Sequence, residues 1–297
     1  MDYQNKLTEK DIFKICELVS DLRGSFRSGD SPIGPNIFKL VQSKNIRLVF
    51  YPVKSNDKNS FSAVYISMKN QNETFDFIGL NTNDYLDDQI FSLAHELYHY
   101  KKRSSLHFYR EALNMVDKEE LMAERFAAEL LLPKSSLDEE VRSINNGSTN
   151  LNGWEYKSIF MFIARLQSDY RIPYKAIVKR LYELEFISNS QYENLYKENN
   201  RDTNELYHTI GINIGDKEFE NLNNYTNTLG VYKNEIENII RDYYNDLISL
   251  PILSDSLKIF GKSLKDFGLQ ENIDDETLEE FDSIFKEYKN GEEKKSN

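Results

Sequence analysis

The 297-residue chain has one cysteine, one tryptophan, six prolines and only four histidines. A single cysteine excludes an intramolecular disulfide and any thiolate-rich metal site. No apolar run approaches the roughly 18 residues a membrane-spanning helix needs. Met1-Asp2-Tyr3-Gln4 opens without the basic and apolar regions of a secretory leader. Basic residues are also short, 37 against 49 acidic, so the net charge is −12 and no global positive field attracts nucleic acid or anionic lipid. The expectation is a soluble, cytoplasmic protein. Nineteen tyrosines and 18 phenylalanines supply the bulk of a core and set the chain apart from a disordered one.

Periodicity divides the chain. Residues 9–22 place Ile12, Ile15, Cys16, Val19 and Leu22 on one helical face, with Cys16 expected as a small buried apolar group. Residues 24–35 read as a Gly/Ser/Pro loop, and a short helix over 36–43 follows. Ile46–Tyr51, Phe61–Ser67 and Thr74–Leu80 read as strands, the last two separated by a polar turn through residues 69–72, and together suggest a small, mainly antiparallel sheet. Leu86, Ile90, Leu93 and Leu97 mark a helix over about 84–101. A second helix spans Lys118–Leu131, with Asp117 as its N-cap and Pro133 as its stop. A break at residues 145–148 precedes a helical stretch over 154–199 with a turn near Ile172-Pro173. Residues 205–297 read as helical, interrupted near Gly230, Pro251 and Gly261. The tail from Glu271 has ten acidic and four basic residues, yet Leu278, Phe281, Phe285 and Tyr288 form a stripe that predicts a docked helix. The divisions expected are 1–35, a core over 36–140, a helical region over 150–200 and a helical extension over 205–297.

The informative segment is Leu93-Ala94-His95-Glu96-Leu97-Tyr98-His99-Tyr100, a His-Glu-x-x-His motif holding two of the four histidines. Four residues apart on a helix, His95 and His99 project from one side, away from the leucine stripe. Two neutral imidazoles at this spacing suit Zn²⁺, and Glu96 lies where it takes a proton from metal-bound water. The competing reading is two helix histidines in ordinary hydrogen bonds.

A mononuclear catalytic site needs a third protein ligand. In the next helix Glu120, Glu124, Ala127 and Leu131 share one face, and small Ala127 and Ala128 permit close approach to the histidine helix. Glu120 is a candidate oxygen ligand, although Asp117-x-x-Glu120 also fits a variant capping box. Glu124 is a candidate partner for the remaining N–H of a ligand histidine, or else a solvated charge paired with a cation. For the oxyanion, His107, Tyr98, Tyr109 and His208 qualify by residue type only, and none is assigned.

Residues 93–100, followed by Glu120-x-x-Ala123-x-x-Phe126-Ala127-Ala128-Glu129-Leu130-Leu131-x-Pro133, resemble the ImmA/IrrE family of metallopeptidases. That family pairs its histidine helix with one reading roughly Glu-x-x-Ala-Asn-x-Phe-Ala-x-x-Leu-Leu-Met-Pro. The resemblance covers about 36–135, and more loosely the helices to about 190. It implies an α+β, zincin-like core: a small sheet packed on the HExxH helix and a Glu-bearing helix, with all-helical C-terminal additions. It also implies a gluzincin-like peptidase with one Zn²⁺ per chain on His95, His99 and Glu120, and Glu96 as base. Glu124 stands where the family has Asn, and Leu132 where it has Met, a volume-conserving change.

The resemblance further implies limited, regulatory cleavage of a cytoplasmic transcriptional repressor through Glu96-assisted attack of zinc-bound water. The alternative is a non-catalytic zinc-fold module that sequesters a repressor or forms half of a toxin–antitoxin pair. Residues 168–181 have a helix-turn-helix look, but Trp154–Ile187 carries only six basic against four acidic residues. Packing explains Ile177, Val178 and Leu181 better, and direct DNA binding is not expected.

Overall fold

The computed structural model describes residues 7–54, 61–70, 73–103, 118–232 and 234–269. Asp117, His107, Tyr109, turn residues 71–72 and the expected tail helix with Leu278, Phe281, Phe285 and Tyr288 lie outside the described residues. The chain divides into two compact units, 1–232 and 233–297. The first is an α+β unit dominated by helix, as the sequence predicts, and the described residues of the second are helical.

In the first unit, α1 (Glu9–Ser25) begins at a capping box in which Thr8 and Asp11 satisfy each other's backbone amides. Its buried side is Ile15, Val19 and Leu22, and Arg23 reaches the Leu130 carbonyl. Cys16 lies off this side and is exposed, correcting the expected stripe. A 3₁₀ turn over Gly34–Asn36 leads into α2 (Ile37–Ser43).

β1 (Ile46–Tyr51), β2 (Ala63–Asn70) and β3 (Glu73–Asn81) follow at the expected places. Sheet order is β2-β3-β1-β4, where β4 is the two-residue strand Gly230–Val231. Two of the three pairings are antiparallel, but the central one, β1 with β3, is parallel in the register Ile46↔Asp76 to Tyr51↔Asn81. The β2–β3 hairpin docks through β3, so β2 becomes an edge. β4 falls at the interruption expected near Gly230, in a stretch otherwise read as helical. Side chains alternate as a one-sided sheet requires, with Leu48, Tyr65, Ile78 and Leu80 buried on the core face.

That face receives α3 (Leu86–Lys102) through Ile90, Leu93, Ala94 and Leu97, all at most 1% exposed. α4 (Lys118–Leu131) lies against α3 and buries Ala123, Phe126, Ala127, Leu130 and Leu131. α5 (Lys134–Ile144), absent from the sequence reading, starts directly after Pro133. α6 (Tyr156–Tyr170), α7 (Tyr174–Glu183), α8 (Asn189–Lys197) and α9 (Leu206–Leu222) complete the layer. Ile177, Val178 and Leu181 are fully buried, as the packing reading of α7 requires.

Two polar networks fix α3 and α4 in this layer. The Tyr207 hydroxyl donates to Gln167 at 2.6 Å, Gln167 donates to Asp87 at 2.7 Å, and Arg201 bonds both Asp87 and Asp88. The acidic first turn of α3 is thus tied to α6 and α9. The segment after α9 reinforces this: Leu86 donates to the Asn224 carbonyl, Tyr85 stacks on Tyr225, and Tyr232 packs on Phe38 and Phe50.

At the other network's centre is Arg180, a fully buried guanidinium paired with Glu129 and bonded to the Leu132 carbonyl at 3.3 Å. Arg125 bridges Glu129 and Glu183. Arg180→Met removes a buried partner and leaves Glu129 under-compensated, so it should cost about 3 kcal/mol of stability. A urea midpoint within error of wild type, at unchanged slope, would contradict this.

The second unit has α10 (Asn234–Tyr244) and α11 (Leu250–Ile259), packed through Ile239, Ile240, Leu253, Leu257 and Leu264. No helix among the described residues is long and apolar enough to cross a membrane.

Candidate metal centre

α3 carries His95 and His99 one turn apart, on the side opposite its apolar stripe and facing α4. Glu120, in the first turn of α4, meets both: His95 Nε2 is 3.1 Å from Glu120 Oε2, and His99 Nε2 is 3.4 Å from Glu120 Oε1. The two Nε2 atoms are 3.2 Å apart. Donors at zinc-ligand distances around a tetrahedral ion lie about 3.3–3.6 Å from one another. This triangle of two imidazoles and a carboxylate therefore fits such an ion closely, and among the described residues it is the group able to hold a metal. A calcium-type site, built from oxygens at longer distances, does not fit two imidazoles.

The triad is sheltered but open to solvent on one side. His99, His95 and Glu120 side chains are 8%, 18% and 25% exposed. Its hydrogen bonds to both imidazoles hold the Glu120 carboxyl far below the usual carboxylate range. For His99, burial opposes protonation, but the hydrogen bond to Glu120 and the charges of Glu96, Glu120 and Glu119 outweigh it and raise the pKa.

Glu96 is buried beside the triad. Its Oε2 accepts the Tyr65 backbone N–H of edge strand β2 at 2.8 Å, the hydrogen bond it takes among the described residues. Burial raises the Glu96 pKa, while His95, His99 and the Tyr65 amide pull the other way. A carboxylate so placed takes up a proton more readily than a solvated one.

Glu124 does not join the cluster. One turn beyond Glu120, it is exposed and paired with Lys179 of α7 at 2.7 Å, the solvated-charge outcome. Tyr98 is fully buried, its hydroxyl donating to Glu119 at 2.8 Å, with burial and Glu119 both raising its pKa. His208 packs edge-on against Phe219. The Tyr65 amide has no signature in the sequence, because a backbone N–H supplies the contact whatever the side chain.

Residues 41–182 match the family model of the IrrE N-terminal-like domain, Peptidase M78. No curated protein matches the chain. The matched span takes in β1 to α7, and with them His95, Glu96, His99 and Glu120. Over residues 41–182 the chain is thus similar to the ImmA/IrrE family, a metallopeptidase-type family.

Proposed function

We propose that the chain is a zinc-dependent endopeptidase that makes a limited, regulatory cut in a cytoplasmic transcriptional repressor. The observation that carries the peptidase reading is the 3.1–3.4 Å triangle of His95, His99 and Glu120 with Glu96 buried beside it. His95, His99 and Glu120 would hold one zinc ion per chain. Zinc, when bound, acidifies a coordinated water and polarises a peptide carbonyl.

The remaining work falls to Glu96. It takes a proton from the attacking water and delivers it to the departing amine, changing role from base to acid. Its raised pKa suits both directions of transfer. The repressor as substrate rests on the family resemblance alone. The alternative, a binding module without chemistry, gives Glu96 no task at the site.

The reading is tested by incubating zinc-loaded chain with a lysate of the cells that make it and sequencing new protein N-termini. New termini should appear and vanish when a chelator is added; none at any zinc level would overturn the reading. Zinc requires neutral imidazoles, and His99 in the metal-free chain keeps its proton above the ordinary value of 6.5. The apparent zinc affinity should therefore weaken as pH drops, beginning above pH 6.5. An apparent affinity that begins to weaken only below pH 6.5 would contradict the His99–Glu120 coupling.

A further inference from the structure

The face of α3 that carries Glu96 also carries Tyr100 and Arg103, four and seven residues on, so all three address β2 and β3. Across from them a closed chain of contacts runs through the sheet. The Tyr65 amide donates to Glu96 at 2.8 Å, and the Tyr65 hydroxyl donates to Asp76 of β3 at 2.6 Å. Asp76 pairs with Arg103 at 2.7 Å, and the Arg103 guanidinium lies over the Tyr100 ring at 4.8 Å. Tyr100 in turn packs edge-on against the Tyr65 ring, centroids 6.0 Å apart. Tyr65 is 3% exposed and Asp76 8%, so both polar ends are sheltered from competing water. Burial opposes ionisation of Asp76, yet its bonds from Tyr65 and Arg103 prevail and keep its pKa low, so it stays charged at neutral pH.

β2 is an edge strand, and alternate amides of an antiparallel edge face outward with no strand partner. The Tyr65 amide is one of these, and it is spent on Glu96. We propose that Tyr65 and Asp76 are positioning residues for Glu96: the Tyr65–Asp76–Arg103 chain locks the edge of β2 to α3 so that the Tyr65 amide fixes the carboxylate beside the His95–His99–Glu120 triad. The proposal rests on the peptidase reading for its purpose, while its geometry stands without it. Arg103 closes the chain from the left-handed C-cap of α3, at φ 53°, which turns its side chain back toward the sheet.

The test is amide hydrogen exchange and amide proton shifts in the full chain, metal-free and with added zinc, for wild type, Glu96→Ala, Tyr65→Phe and Asp76→Asn. In wild type the Tyr65 amide should be protected like a ladder amide despite its edge position. Glu96→Ala should speed its exchange at least about tenfold and move its proton resonance upfield. Tyr65→Phe and Asp76→Asn should do the same to a lesser degree, about threefold or more. The Ile66 amide, which points to β3, should hold its wild-type rate in all variants.

A Tyr65 amide indifferent to Glu96→Ala would overturn the proposal. So would wild-type exchange at Tyr65 in both Tyr65→Phe and Asp76→Asn. A uniform speeding of Ile66 and Tyr65 together would reduce the network to a stabiliser of the sheet and also overturn it. Exchange is read without substrate, so absent cleavage alongside the predicted pattern would count against the peptidase reading alone.

Discussion

Glu96→Gln should keep its zinc and lose about 10²- to 10⁴-fold in turnover, the range a positioned acid–base group contributes. Glutamine has the shape of glutamate, and its side-chain oxygen still accepts the Tyr65 amide that Glu96 Oε2 accepts at 2.8 Å. It cannot take a proton from water or return one to an amine. The triad is untouched, because none of the His95, His99 and Glu120 contacts runs through Glu96. Removing a buried carboxylate whose pKa burial has raised also costs the fold little. The variant therefore separates chemistry from assembly: zinc content by mass spectrometry should equal that of wild type, while product formation collapses. Full turnover in Glu96→Gln would remove the base from the mechanism. A biological effect that survives the substitution intact would favour the binding-module alternative, for which this carboxylate is irrelevant.

Glu120→Ala should lose the metal. Removing groups that merely orient metal ligands costs about 10–100-fold in affinity, and deleting a direct ligand must exceed that. The two imidazoles left on α3 would then share an ion with water alone. A second consequence follows in the metal-free chain. Glu120 sits far below its ordinary pKa because it faces both histidines, and His99 is raised for the same reason. The Glu120 contribution to stability is complete above about pH 4.5 and is lost as pH falls through its lowered folded value. The His99 contribution is complete below pH 6.5 and is lost as pH rises through its raised one. Glu120→Ala should abolish the first and weaken the second, since Glu96 and Glu119 still face His99, which flattens the stability profile of the metal-free protein. Unchanged zinc affinity in Glu120→Ala would move the third ligand elsewhere.

Much of this was legible in the chain because it is local. Leu86, Ile90, Leu93 and Leu97 mark α3, and Pro133 stops α4 within two residues of where it ends. The histidine spacing places both imidazoles on one side of α3 with no knowledge of the tertiary fold. What failed depended on distant partners. Glu124 is claimed by Lys179, 55 residues on, an ion pair that no spacing within α4 discloses. Cys16 fits the apolar period of α1, yet the side that packs is set by α4 and leaves the thiol outside. The parallel β1–β3 pair follows from how the hairpin docks, and a two-residue strand such as β4 has no periodicity to read. The amide beneath Glu96 belongs to the backbone, so only the placed strand reveals it.

The proposed mechanism makes Glu96 the base of a peptidase beside a zinc triad. It is tested most directly by comparing all protein N-termini in cells expressing either wild type or Glu96→Gln. At least one new N-terminus, inside a repressor, should be present with wild type and absent with the variant. Identical sets of N-termini under the stresses in which the wild-type protein is zinc-loaded and abundant would contradict it.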